Sequence, residues 1–193
     1  MATHATLLLV RFVRSTWVVP ALLLLAPVVH AAPAAAPEAD DEESSPKIST
    51  RVTEGGVVIA TVRVAARPAA VREVLAGAER AHRLATTTVS VKATKDGNCE
   101  AVTLSTRGLF SPFELETRRC PTKTGWRETL VRSTNFKEYW NEWSVQDDGD
   151  GALVTFKTRT LPDVAVPEAI ILSQTRRVLV KLMKSLQTAL GER

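Results

Sequence analysis

Six consecutive segments with a two-residue period constrain the fold more than any other feature of the chain. Between Thr87 and Thr160, apolar and polar residues alternate in short runs, and Gly, Pro, Asn or Asp residues fill the gaps between them. Strands that follow one another through short turns pair as antiparallel neighbours. The pattern therefore predicts an antiparallel meander with strands at 87–94, 100–106, 113–119, 127–133, 139–145 and 153–160.

The segments on either side of the meander predict one more strand and three helices. The β-branched run at 57–64 indicates a strand, and Pro68 then suits the first turn of a short helix at 69–75. A second short helix is predicted at 78–84, after Gly77. The region 168–190 repeats apolar residues at three- and four-residue steps, so it predicts a long amphipathic helix that can cover a curved sheet.

Several local sequences accompany this order of elements. They are WRETL at 126–130, Trp143-x-Val145, Gly151-x-x-Val154-x-Phe156 and Leu161-Pro162. Together with the element order, they resemble the START-like superfamily (also called SRPBCC), which includes coenzyme-Q-binding proteins and polyketide cyclases. The resemblance spans about 48–190. It implies an α+β helix-grip fold, in which a curved seven-stranded antiparallel sheet wraps around a long C-terminal helix.

The N-terminal region has the order of features typical of a secretory signal peptide. Arg11 and Arg14 precede an apolar run at 17–29, and Val29-His30-Ala31 offers small residues at a cleavage position. The run is shorter than the roughly 20 residues that span a bilayer. We predict a signal peptide at 1–31, cleaved near Ala31, and a periplasmic or secreted protein. An uncleaved membrane anchor is the alternative.

Residues 32–47 are rich in Ala, Pro and acidic residues, which predicts a disordered linker before a START-like domain at 48–193. Two of the 25 basic residues and five of the 21 acidic residues precede Lys47, so the chain from Lys47 onward has a formal charge of +7. Because these charges are scattered, we interpret them as solvated faces and expect no nucleic acid partner. An interaction module that uses the basic surface is an alternative function.

The two cysteines lie on neighbouring predicted strands. Pairing Leu104 with Leu115 places Cys99 opposite Cys120, on the face away from both leucines. Because an exported protein meets oxidising conditions, we predict a structural disulfide between them. A metal site is the competing reading, but two cysteines without further ligands are a poor set.

The sequence contains few groups that indicate catalysis. His82 is the one histidine beyond residue 31, and near the end of a short helix it is expected to be a surface or capping residue. No nucleophile elbow, zinc-protease or phosphate-loop motif occurs. We therefore predict no catalytic residue, no cofactor and no metal. Tyr139, Asn141, Glu142 and Arg159 are polar residues that strand position could bring near a cavity.

The apolar interior is the stronger functional feature. The resemblance implies a hydrophobic pocket between the sheet and the C-terminal helix; the alternative is that the same residues form a solid core. The candidate ligand-binding residues are Val62, Leu104, Phe113, Leu115, Leu130, Trp143, Phe156, Ile171, Val178, Leu179 and Leu182.

Leu109 and Phe110 lie at a predicted hairpin tip, where polar residues are usual. They are predicted to close over the pocket or to contact a membrane surface transiently; packing against a short helix is the alternative. The resulting hypothesis is a carrier or binding protein of the cell envelope for a lipid, quinone or polyketide-like molecule. A cyclase- or aromatase-type enzyme using the same cavity is the other candidate. The sequence does not indicate an oligomeric state.

Overall fold

A computed structural model describes residues 47–107 and 112–191 of the chain. These residues form an eight-stranded sheet, three α-helices and one 3-10 turn at Glu54–Gly56. The strands are β1 Ser49–Val52, β2 Val58–Val64, β3 Thr88–Asp96, β4 Cys99–Arg107, β5 Pro112–Pro121, β6 Gly125–Ser133, β7 Phe136–Asp148 and β8 Gly151–Pro162. The helices are α1 Pro68–Leu75, α2 Ala78–Arg83 and α3 Glu168–Ala189.

The sheet confirms the predicted meander and the helix-grip arrangement. Its strand order is β1-β2-β8-β7-β6-β5-β4-β3, and all neighbours are antiparallel. Strands β3 to β8 follow one another across the sheet, and β8 returns beside β2. The two short helices carry the chain from β2 to the far edge at β3, and α3 packs on the same sheet.

Strand β1 was not predicted, so the sheet has eight strands rather than seven. Its four residues lack an apolar run and alternate only between exposed and half-buried positions. The strand forms because its backbone pairs with the edge of β2, with Ser49 opposite Thr61 and Val52 opposite Val58. Backbone pairing at an edge leaves little trace in a hydrophobic pattern.

Local sequence explains where the helices begin. Pro68 is the first residue of α1, where its missing N–H costs no helical hydrogen bond. Gly77 separates α1 from α2 with a φ of 103°, a conformation that residues with side chains rarely adopt. Helix α3 begins after Pro167 and buries Leu179, Leu182, Met183 and Leu186.

The hydrophobic core lies where the C-terminal half of α3 covers β2, β7 and β8. Val62 and Val154 are opposite each other across β2 and β8, and both are buried. Trp143 and Phe156 pack edge to face with ring centroids 4.5 Å apart. Full burial of one such aliphatic or aromatic side chain stabilises the fold by about 1.5–3 kcal/mol.

The β4–β5 pairing has the predicted register. Leu104 lies opposite Leu115, and both are buried on the face toward α3. Cys99 and Cys120 form a disulfide at the other end of this hairpin. The predicted signal peptide, the linker up to Pro46, and Leu109 and Phe110 all lie outside the described residues. No helix within 47–107 or 112–191 has both the length and the apolar character needed to cross a membrane.

Removing the disulfide should lower the free energy of unfolding by about 3 kcal/mol. The reason is that the bond joins two residues that are 21 positions apart and so restricts the unfolded chain. The comparison is urea unfolding of the wild type and of the C99A/C120A double variant. Under reducing conditions the two proteins should unfold at nearly the same urea concentration. A wild type that is no more stable than the variant under oxidising conditions would contradict a stabilising disulfide.

Candidate functional site

A cavity of about 400 Å³ lies between the concave face of the sheet and the N-terminal half of α3. Helix α2 and the connection between β8 and α3 complete its wall. The cavity exists because α3 packs tightly on the sheet only from about Leu179 onward, where its buried residues begin. Earlier residues of α3, among them Ile171, Thr175 and Val178, face the open space instead.

Nine of the eleven predicted ligand-binding residues line this cavity. They are Leu104, Phe113, Leu115, Trp143, Phe156, Ile171, Val178, Leu179 and Leu182. Val62 and Leu130 do not line it. Val62 lies on β2 within the solid core, and Leu130 lies beside an irregularity in the β5–β6 pairing and is only half-buried.

A continuous row of polar side chains crosses the inner face of the sheet. Glu100, Arg119, Glu128, Asn141 and Thr158 occupy successive cross-strand positions on β4, β5, β6, β7 and β8. Four of the five, all except Glu100, are buried with at most 5% of their surface exposed, and the same four line the cavity. Buried polar groups of this kind need partners, so their contacts define the site.

Glu128 has the most complete set of contacts in the row. The Nε2 atom of His82 lies 2.9 Å from one carboxylate oxygen and 3.1 Å from the other, and the Thr117 hydroxyl donates a further hydrogen bond. Burial raises the pKa of Glu128, but the bonds from His82 and Thr117 and the charges of His82 and Arg119 outweigh it. The pKa of the carboxyl therefore lies below its ordinary value, and Glu128 is ionised at neutral pH.

Arg119 connects the polar row to the two short helices. Its guanidinium donates 2.6 Å to the carbonyl of Leu75 at the end of α1 and 2.8 Å to Glu100, and it lies over the Trp126 ring. Glu100 also accepts a bond of 3.0 Å from the backbone N–H of Ala78, the first residue of α2. These contacts fix α1 and α2 on the sheet, and the position of α2 brings His82 to Glu128.

Tyr139 and Asn141 form a second polar pair at the cavity wall. The amide of Asn141 donates 2.9 Å to the Tyr139 hydroxyl oxygen. Burial, and then the charge of Glu128, raise the pKa of Tyr139 well above its ordinary value, so the phenol keeps its proton. Thr158 follows Asn141 in the row, and its hydroxyl donates a hydrogen bond of 3.0 Å to the Trp140 carbonyl.

The expectation that His82 is a surface or capping residue was wrong. Its side chain is only 12% exposed, lines the cavity and is oriented by Glu128. Of the four polar residues considered from strand position, Tyr139 and Asn141 line the cavity. Glu142 and Arg159 lie on the outer face, where Glu142 pairs with Lys157 and Arg159 with Glu138.

The rest of the wall is mainly apolar. Phe113 and Phe136 meet edge to face with centroids 4.7 Å apart, and Pro162, Val164 and Val166 close the side toward α3. Val164 is 62% exposed, which places it at the rim. Within the described residues, no group of three or more His, Cys, Asp or Glu side chains is placed to hold a metal ion. The site is therefore a cavity with a mainly apolar wall that also contains the polar row and further polar residues, among them Thr106, Arg107 and Gln174.

Several solved structures superpose on this arrangement of strands and helices. A START superfamily protein from Mycobacterium smegmatis superposes with a TM-score of 0.60 at 16% identity, over 69% of this chain and 95% of that one. This domain has the START-like helix-grip fold. A fragment of a STAR-related lipid transfer protein from Xanthomonas axonopodis gives a TM-score of 0.62 at 16% identity, over 77% and 100%.

An aromatase/cyclase from Streptomyces also has this fold, with a TM-score of 0.56 and 17% identity over 74% of this chain and 93% of that one. No family model and no curated protein matches the sequence. These similarities establish the START-like fold. Because the identities are low, they do not establish a shared function.

The ionised Glu128 should stabilise the fold in a pH-dependent manner. Its folded pKa is lowered, so its contribution is fully present above the ordinary value of 4.5 and is lost as the pH falls through the folded value. At pH 7, Glu128→Gln should reduce the free energy of unfolding by about 2 kcal/mol. The difference from the wild type should shrink steadily as urea unfolding is repeated toward about pH 3.

Glu114→Gln is the matched control because Glu114 is exposed on β5. This variant should stay within about 0.5 kcal/mol of the wild type at every pH. A Glu128→Gln deficit of the same size at pH 7 and at acidic pH would show that an ionised Glu128 does not stabilise the fold.

Proposed function

We propose that this protein binds a small hydrophobic molecule in the cavity beneath α3 and serves as a carrier or binding protein of the cell envelope. The observation that supports this most is a cavity of about 400 Å³ whose wall includes twelve Leu, Val, Ile, Phe and Trp residues. Cavities of this size and composition are typical of sites for small apolar ligands. Burial of an apolar ligand contributes about 25 cal/mol per Å² before association costs.

The START-like fold supports the same ligand class. Among the solved structures with this fold are a protein named as a lipid transfer protein and one named as an aromatase/cyclase. A lipid, quinone or polyketide-like molecule is consistent with the cavity. The candidate contacts are the nine predicted residues that line it, with the polar row at one part of the wall.

The disulfide and the N-terminal sequence support a location in the cell envelope or outside the cell. Disulfides persist in oxidising compartments, and a signal peptide at 1–31 would deliver the chain there. In this proposal the linker at 32–47 separates the cleavage position from a domain at 48–193. Protein recovered from the periplasm or medium should begin near Ala32, as measured by N-terminal sequencing. A chain that retains residues 1–31 in the membrane fraction would contradict cleavage.

A cyclase- or aromatase-type enzyme is the second candidate, because one observation favours it. His82 is oriented by a carboxylate inside the cavity, which is how enzymes position a histidine base. A carrier should release its ligand chemically unchanged after incubation, whereas an enzyme should convert it. Mass spectra of the ligand before and after incubation with fresh protein distinguish the two.

Filling the cavity should weaken ligand binding. Val178→Trp places a large ring in the space that Val178 now borders, and it should weaken binding of the neutral apolar probe N-phenyl-1-naphthylamine by about tenfold or more. The measurement is probe fluorescence titrated with protein. Val131→Trp is the matched control, because Val131 is 64% exposed on β6 and does not line the cavity. Equal loss of binding in both variants, or in neither, would contradict binding in the cavity.

A further inference from the structure

The outer face of α3 is strongly basic. The helix contains one acidic residue, Glu168 in its first turn, and four basic residues, so its side chains sum to a formal charge of +3. All four basic residues are exposed: Arg176, Arg177, Lys181 and Lys184. Within 47–107 and 112–191, no carboxylate forms an ion pair with any of them.

Three of these cations lie on a single stripe of the helix. Residues that follow one another at three- and four-residue steps share a helix face. The stripe consists of the exposed residues Ile170, Ser173, Arg177, Lys181, Lys184 and Thr188. At 1.5 Å of rise per residue, the part from Ile170 to Lys184 is about 21 Å long. The stripe therefore presents a row of positive charge with an isoleucine at one end.

Interactions within the helix do not explain this row. Arg177 and Lys181 are four residues apart, a spacing at which like charges destabilise a helix. The last turn of α3 contains no basic residue, so the helix dipole does not stabilise the cations either. An unpaired row of like charges is instead stabilised by contact with a negatively charged partner.

The apolar residues at the N-terminal end of the stripe favour a lipid surface as that partner. Ile170 is 44% exposed, and Val164, at the rim of the cavity, is 62% exposed. At an anionic membrane, basic side chains meet the headgroups and neighbouring apolar side chains enter the interface. An acidic protein surface would match the cations but would not require exposed apolar residues beside them.

We infer that the outer face of α3 docks on an anionic phospholipid surface. Arg177, Lys181 and Lys184 contact the headgroups, and Ile170 and Val164 enter the interface. Because Val164 also lines the cavity, this orientation brings the cavity rim to the membrane. The docking surface is separate from the cavity wall, since none of the three cations lines the cavity.

Vesicle sedimentation tests the docking surface. Protein purified from its native compartment is mixed with phosphatidylcholine vesicles that contain phosphatidylglycerol, and with vesicles of phosphatidylcholine alone. The wild type should bind the anionic vesicles at least about tenfold more tightly, because each cation near an anionic surface strengthens binding by about fivefold. Most of this preference should disappear in about 0.5 M sodium chloride, which screens the charges.

A triple variant assigns the preference to α3. In Arg177→Gln/Lys181→Gln/Lys184→Gln, the preference for anionic vesicles should fall to about threefold or less, because three headgroup contacts are lost. The same variant should bind N-phenyl-1-naphthylamine as the wild type does, because the three positions lie outside the cavity wall. This second measurement separates loss of docking from loss of cavity binding.

The charge-matched control is Lys92→Gln/Lys95→Gln/Lys123→Gln. It also removes three exposed cations, but Lys92 and Lys95 point to opposite sides of β3, and Lys123 lies in the turn between β5 and β6. Since these residues do not form one face, this variant should keep a preference for anionic vesicles close to that of the wild type.

A further pair of variants tests the apolar contact. Ile170→Ser should weaken binding to anionic vesicles by at least about threefold, because the isoleucine no longer enters the interface. Val131→Ser replaces a valine that is 64% exposed on β6, away from α3, and should leave vesicle binding unchanged.

Three results would overturn the inference. The first is equal binding of the wild type to anionic and neutral vesicles. The second is an equal loss of the anionic preference in both triple variants, which would show that net charge acts rather than one face. The third is no binding to either kind of vesicle, which would leave an acidic protein surface as the partner of α3. In each case, binding of N-phenyl-1-naphthylamine by the same protein would leave the proposed function standing.

Discussion

The buried carboxylate of Glu128 is the group on which the geometry of the site depends. An ionised carboxylate in the interior costs several kcal/mol unless hydrogen bonds and opposite charge compensate it. His82, Thr117 and Arg119 supply that compensation. Two of these partners also hold the short helices in place, since His82 belongs to α2 and Arg119 bonds the last residue of α1. The polar row, which crosses five strands, thereby joins the two short helices to the sheet.

The cavity follows from how α3 divides its contacts. Its later residues, including Met183 and Leu186, are buried with the core strands, whereas Ile171 and Val178 border open space. Core packing thus anchors one half of the helix and leaves the other half over the cavity. This division places a packed core and an open cavity in the same fold, and the residues of the cavity wall do not have to pack as closely as those of the core.

The sequence was sufficient for the meander, the register of Leu104 with Leu115 and nine residues of the cavity wall, because periodicity along strands and helices determines which side chains face inward. The same alternation placed Glu128 two residues before Leu130, on the inner face. That signal could have identified a buried carboxylate. Its partner His82 lies 46 residues away on a helix, and only tertiary docking brings the two together. Val62 was predicted to bind ligand because it faces inward, but it lies in the core. Alternation shows that a residue faces inward and does not show whether α3 packs against it or leaves a cavity there.

The central claim is that the cavity holds a hydrophobic molecule. The most direct measurement is mass spectrometry of the organic extract of protein purified from its native compartment, made in parallel for the wild type and for Val178→Trp. The account predicts an apolar molecule in near-equimolar amount from the wild type and little from the variant. Extracts that are empty for both proteins, or that contain the same molecule in the same amount, would contradict it.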